Sequence, residues 1–235
     1  MTPIGSLRSA SQSRRLLAPL LRSWYRPTVL GVEALPRRGA VIFVANHLGF
    51  LDAALLSVSS PRPLRTLAPD ELFEPPLDRV AKVAGHISMD PTWPDLAAMA
   101  AATQVLRAGE ALAVFPEGRR GDGKVASIRH EAAYLALTTD TPVVPTAILG
   151  TRQTGMAVDA LPRRKARMAV VFDQPFTLSS HGDVYRRCVV AAAGETIRQR
   201  LADHVGRASY LTGLRLPDDR PDVPATPERT HPDVR

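Results

Sequence analysis

Short apolar runs alternate with helical stretches along most of this chain, and that alternation sets its fold class. Ala40–Ala45 reads AVIFVA, Ala111–Phe115 reads ALAVF and Val143–Leu149 reads VVPTAIL. Apolar runs of about 4–8 residues bounded by turn residues predict strands buried on both faces. Leu64–Leu67, His86–Met89 and Met168–Phe172 are weaker strands of the same kind. Between them, Leu51–Val58, Leu96–Leu106, Arg129–Thr138 and Asp183–Arg207 carry helical patterns. Strands alternating with helices predict one α/β domain, with a mixed, largely parallel sheet flanked by helices. Pro145 stands inside one strand, which predicts an edge position or a bulge there.

The ends of the chain differ from its middle. Residues 1–40 carry six of the seven net positive charges, from seven arginines against Glu33. Leu16, Leu17, Leu20, Leu21 and Trp24 recur on one face of a helix expected from about Ser13 to Tyr25, stopped by Pro27. Residues 1–26 therefore form a basic segment with an amphipathic helix. The pattern admits a helix lying on a membrane surface, a helix packed on the domain, or both. Residues 27–210 form the folded domain. Residues 211–235 hold Pro217, Pro221, Pro224, Pro227 and Pro232 among polar residues, so a disordered tail is expected.

Several classes are excluded. No apolar run reaches the roughly 18 residues of a spanning helix. The N-terminus has no apolar core followed by a small-residue cleavage site, so no secretory signal is expected. Cys188 is the single cysteine, too few for an internal disulfide or a cysteine-based zinc site, and is expected to be a buried or neutral thiol. No Gly-rich phosphate loop or GxGxxG follows a strand, which argues against a P-loop NTPase or a Rossmann dehydrogenase.

Two constellations could carry chemistry, and both directly follow a predicted strand. In Asn46-His47-Leu48-Gly49-Phe50-Leu51-Asp52, a carboxylate at a helix start can hold one imidazole nitrogen and leave the other to take a proton. The same spacing also suits Asp52 as a plain helix cap. In Phe115-Pro116-Glu117-Gly118-Arg119-Arg120-Gly121, Glu117 can accept hydrogen bonds, Gly118 allows close approach, and Arg119 and Arg120 can grip phosphate. Gly85-His86-Ile87-Ser88-Met89-Asp90 is a weaker third stretch. Leu161–Arg167 is a second basic cluster that suits phosphate groups or plain solvent.

Taken in order and spacing, these stretches resemble the glycerolipid acyltransferase family over roughly residues 27–205. Asn46, His47 and Asp52 match its NHxxxxD motif. Gly85, Ile87 and Asp90 match its second motif. Phe115, Pro116, Glu117, Gly118 and Arg120 match its FPEGTRS motif, and Pro145 its late Val-Pro strand. The resemblance implies fatty acyl transfer from acyl-CoA or acyl carrier protein to a lysophospholipid hydroxyl, with 1-acyl-glycerol-3-phosphate as the leading acceptor. It implies His47 as general base oriented by Asp52. Asn46, Glu117, Gly118, Arg119 and Arg120 become substrate-binding candidates, and amides near Gly118 become oxyanion donors. It implies no metal, no cofactor beyond the acyl donor, and a peripheral position on the cytoplasmic face of an anionic membrane.

The chain departs from the family pattern at four places. Pro91 stands where an arginine usually follows the second motif, Arg119 replaces a threonine, Gly121 a serine, and Glu131 a glycine. Arg119 or Arg129 would supply the missing charge. A different lipid acceptor and a non-catalytic lipid-binding role stay open. The basic balance also prompts a nucleic-acid reading, but the excess charge sits at one end and no binding motif accompanies it, so no nucleic-acid partner is expected.

Overall fold

A computed structural model describes residues 17–25, 27–69, 73, 81, 85–90, 95–179 and 183–219. Among these residues, seven strands form a single sheet. They are β1 (Thr28–Leu30), β2 (Val41–Ala45), β3 (Leu64–Pro69), β4 (Ile87–Met89), β5 (Ala111–Val114), β6 (Val143–Leu149) and β7 (Ala169–Phe172). Residues 17–25 are helical (α1). Four further helices follow: α2 (Asp52–Ser59), α3 (Leu96–Arg107), α4 (Glu131–Thr139) and α5 (Arg187–Thr212). The strand order is β1-β7-β6-β2-β5-β3-β4. Every pairing is parallel except β6 with β7. The expected α/β architecture is what the chain adopts.

β2 lies at the centre because all five of its residues are apolar and can be covered on both faces. Alternate side chains serve opposite cores. Val41, Phe43 and Ala45 join Leu21, Tyr25, Leu55 and Leu56 under α1 and α2. Ile42 and Val44 join Ala102, Leu106, Leu135 and Ile197 under α3, α4 and α5. Phe43 meets Phe172 edge-on at 5.7 Å. Truncating Phe43 to alanine would cost about 3–5 kcal/mol.

The sequence-based boundaries hold to within a few residues, with five differences. β1 was not expected; it pairs with β7, and Gly31 just after it permits the close approach to Phe172. Gly31 has φ +77°, and a Cβ on it would stand 2.1 Å from the Phe172 carbonyl oxygen, so no other residue fits. Pro145 is not on an edge, since β6 pairs with both β2 and β7. The bulge lies opposite it. Pro145 accepts from Asp173 N–H and Val143 pairs with Phe176, so two steps on β6 face three on its partner. The α1 face divides: Leu21 and Tyr25 are buried, while Leu20 and Trp24 are about half exposed. Cys188 is exposed rather than buried.

The fifth difference is the tail. α5 runs to Thr212, and Leu214 and Leu216 pack against the third core with Leu201 and Val205. The expected disorder from residue 211 is therefore wrong through residue 219, because apolar residues spaced by two were enough to pin a polar strap. Residues 220–235 and 1–16 lie outside the described residues, as does Pro91.

Candidate active site

The site forms where the central strands end. Parallel pairing sets β2 beside β5, with Val44 against Val114, and beside β6, with Ala45 against Thr146. Three loops therefore emerge side by side at the C-terminal edge of the sheet: 46–51, 115–130 and 150–167. This edge is where α/β sheets place ligands.

His47 Nδ1 lies 2.7 Å from Asp52 Oδ2. Asp52 is the first residue of α2 and is fully buried. The same Oδ2 accepts the backbone N–H groups of Leu48 at 2.6 Å and Gly49 at 2.8 Å. Thr151 Oγ1 donates to Oδ1. Three donors thus converge on two oxygens before His47 is counted. A carboxylate only accepts, so Nδ1 must carry its proton, and Nε2 is the nitrogen free to take another. Of the two sequence readings of Asp52, the plain helix cap does not hold: Leu51 stands at the cap position without a side-chain capping bond, and the Asp52 carboxylate turns back to the 47–49 loop and the imidazole. The His47 ring stacks on Phe115 at 4.2 Å, and its side chain is 17% exposed.

Glu117 braces this loop from the β5 side. Its Oε1 accepts His47 N–H at 2.8 Å, and Val125 N–H bonds to the same carboxyl group. Burial pushes its pKa up to about 7, helped by the nearby charges of Asp122 and Asp52 and opposed by those two N–H groups. Val125 is buried with φ 54°, a left-handed conformation that a β-branched residue resists by about 1–3 kcal/mol. Its side chain in the third core and its bond to Glu117 hold it there. Gly121 N–H donates to His47 O at 2.8 Å and closes the brace.

Asn46, expected to bind substrate, does something else. It is fully buried, and its amide takes both backbone groups of Ile148, Nδ2 to the carbonyl at 2.9 Å and Oδ1 from the N–H at 2.7 Å. The side chain continues the β2–β6 ladder after the backbone has turned away, so Asn46 anchors His47 from behind. Gly118 has φ +71°, which the turn requires, and its N–H donates to Phe115 O at 3.1 Å. The Gly118 amide itself is therefore engaged in the turn.

Arg119 is exposed on this loop. Arg120 pairs with the exposed Asp159 and lies 5.5 Å above the Phe50 ring. Arg129 crosses beside Gly118 and pairs with Glu131 at 2.7 Å. The Gly85–Asp90 stretch ends on the edge strand β4, which β5 and β3 separate from β2. Thr151 was missed by sequence reasoning. A threonine after a strand carries no signal until β6 is placed beside β2.

Three comparisons bear on what this arrangement is. The family model described as Acyltransferase matches residues 26–149. An uncharacterized protein of Mycobacterium tuberculosis is 38% identical over 157 residues, covering 60% of this chain and 42% of that one. A protein of Mycoplasma pneumoniae named probable 1-acyl-sn-glycerol-3-phosphate acyltransferase is 31% identical over 132 residues, covering 52% and 48%. This chain thus spans less than half the length of either relative. Among solved structures, the 1-acyl-sn-glycerophosphate acyltransferase PlsC of Thermotoga maritima superposes with a TM-score of 0.66 at 20% identity, covering 85% and 79% of the two chains. That likeness speaks for the fold.

Proposed function

Because the chain belongs to the acyltransferase family, we propose that it transfers a fatty acyl group from the thioester of acyl-CoA or acyl carrier protein to a lysophospholipid hydroxyl. The acceptor proposed is 1-acyl-glycerol-3-phosphate and the product phosphatidic acid. The observation that supports this reading is the donor-saturated Asp52 carboxylate holding His47 Nδ1 at 2.7 Å, which dedicates Nε2 to proton transfer.

In the proposed mechanism Nε2 takes the hydroxyl proton as the oxygen attacks the thioester carbonyl carbon. Asp52 stabilises the resulting imidazolium. The tetrahedral intermediate collapses, the carbon–sulfur bond breaks, and the leaving thiolate takes from His47 the proton that the hydroxyl gave up. Arg119 and Arg120 hold the acceptor phosphate, for which Arg120 exchanges the exposed Asp159 carboxylate. Glu117 and Gly118 shape the loop rather than touch the head group.

Access to a lipid acceptor is supported by one surface. Lys165 N–H donates to Trp24 O at 2.7 Å, and Tyr25 Oη donates to Pro162 O at 3.4 Å, so α1 lies against the 161–167 segment. Leu20, Trp24 and Leu161 are exposed there beside Arg163, Arg164 and Lys165. Apolar side chains among cations suit peripheral docking on an anionic bilayer. Among the described residues no helix is long and apolar enough to cross a membrane.

A second reading changes only the acceptor. Pro91 follows Asp90 where the resembling family carries a phosphate-binding arginine, which favours a lipid hydroxyl without phosphate at that place. Thiol release from long-chain acyl-CoA, measured with a panel of lysolipids for the wild type and His47→Ala, tests both readings. Loss of the base should lower kcat by about 10²–10⁴-fold. Transfer that survives His47→Ala would refute the mechanism, and the accepted lipid identifies the substrate.

A further inference from the structure

Arg152 follows Thr151 directly and is 1% exposed. Its guanidinium makes three hydrogen bonds. Nε donates to Met156 O at 2.9 Å, Nη1 to Gly121 O at 3.3 Å, and Nη2 to Asp219 Oδ2 at 2.7 Å. Asp219 belongs to the polar strap that follows α5. The strap is pinned again where Gly155 N–H donates to Asp219 Oδ2 at 3.0 Å and Asp218 N–H to Thr154 Oγ1 at 3.1 Å.

The two loops that Arg152 joins are the two on which the His47 loop rests. Gly121 gives its carbonyl to Arg152 and its N–H to His47 O. The 151–158 loop accepts Phe50 N–H at Val158 O, 3.1 Å away, and supplies Thr151 to Asp52. The fit is close: a Cβ on Gly49 would stand 3.3 Å from Thr151 O and 3.5 Å from Arg152 Cβ. A planar guanidinium fork can span three acceptors at fixed angles, which a lysine cannot. A cation with so little access to water needs a carboxylate, and Asp219 is that carboxylate.

We propose that Arg152 and Asp219 are positioning residues for the His47–Asp52 pair, so that the strap after α5 is a working part of the site. Without the Asp219 charge the guanidinium turns toward water and releases the Gly121 and Met156 carbonyls. The His47 loop then loses the link between its two supports, and the 2.7 Å contact to Asp52 loosens. The proposal rests on the reading of His47 as the base.

The test uses the full chain labelled with nitrogen-15 at histidine, and proton NMR. The His47 Nδ1–H in its bond to Asp52 should give a downfield, exchange-protected resonance, assigned by its loss in His47→Gln. His204 Nε2–H, bonded to Val171 O at 2.8 Å far along α5, serves as the internal reference for an intact fold. Asp219→Asn and Arg152→Lys should broaden or abolish the His47 resonance and leave that of His204 unchanged, while Asp219→Glu restores it. In the acyl-transfer assay kcat should fall about tenfold with KM nearly unchanged. If Asp219→Asn does not fold, Arg152→Lys, which keeps the cation, carries the same expectation. A wild-type His47 resonance in either folded variant overturns the proposal, and so does joint loss of both resonances, which would mark general loosening. The resonance does not depend on turnover. An Asp219-dependent signal in a chain without transfer activity would sink the functional reading and leave this inference standing.

Discussion

Raising the pH should weaken this fold through Glu117. Its carboxyl group lies under the His47 loop, where burial, first, and the charges of Asp122 and Asp52 push its pKa from an ordinary 4.5 to about 7. Below pH 4.5 the group is protonated in both the folded and the unfolded chain. Between 4.5 and 7 the unfolded chain gives up the proton and the folded chain keeps it, so unfolding releases a proton and rising pH favours it. Above 7 both forms are ionised and the loss is complete. At about 1.4 kcal/mol per pH unit the whole window amounts to roughly 3 kcal/mol, most of it between pH 5 and pH 8. Glu117→Gln removes the titration and keeps an amide oxygen to accept His47 N–H. Urea unfolding of wild type and variant at pH 5 and pH 8 isolates the group, because other titrating residues cancel in the double difference. The wild type should lose roughly 2–3 kcal/mol more than the variant. Equal pH dependence in the two proteins would refute the reasoning. The opposite sign would show that the two N–H bonds outweigh burial and that the carboxylate is the favoured form.

Three further outcomes follow from the same contacts. Thr151→Val keeps the shape but removes a donor to a buried carboxylate, so it should cost about 1.5–3 kcal/mol in urea unfolding and lower kcat roughly tenfold; an unchanged kcat would remove Thr151 from the support of Asp52. Asn46→Ala leaves Ile148 N–H and C=O without their partner, at about 1–3 kcal/mol each, and should lower the melting temperature without raising KM for the lipid acceptor. A raised KM at unchanged stability would return Asn46 to substrate binding. Neutralising Arg163, Arg164 and Lys165 to glutamine should weaken binding to vesicles of anionic lipid by roughly two orders of magnitude, at about 1 kcal/mol per charge. Binding to such vesicles that resists both this change and added salt would place the membrane contact elsewhere.

The strands were legible because a parallel sheet covered by helices demands apolar residues at consecutive positions, and β2, β5 and β6 show them as continuous runs. β1 was not legible. It is three residues long and half exposed, and it exists because β7, some 140 residues later, offers it a partner. The strap after α5 was misread for a related reason: its composition is that of a disordered segment, and Arg152, which holds it at Asp219, stands 67 residues away in sequence.

The site divides along the same line. His47 and Asp52 are five residues apart on one strand end and one helix start, so their pairing is a local matter that spacing alone could express. Sequence therefore determined the fold class and the family motifs, and set His47 and Asp52 within reach of each other. What surrounds that pair was decided by the order of strands. Placing β5 and β6 on either side of β2 brought Glu117 to His47 across 70 residues and Thr151 to Asp52 across 99. The same order turned Asn46 inward onto Ile148. A side chain that can bind a ligand can equally bind the backbone, and only the register of neighbouring strands determines which of the two it meets.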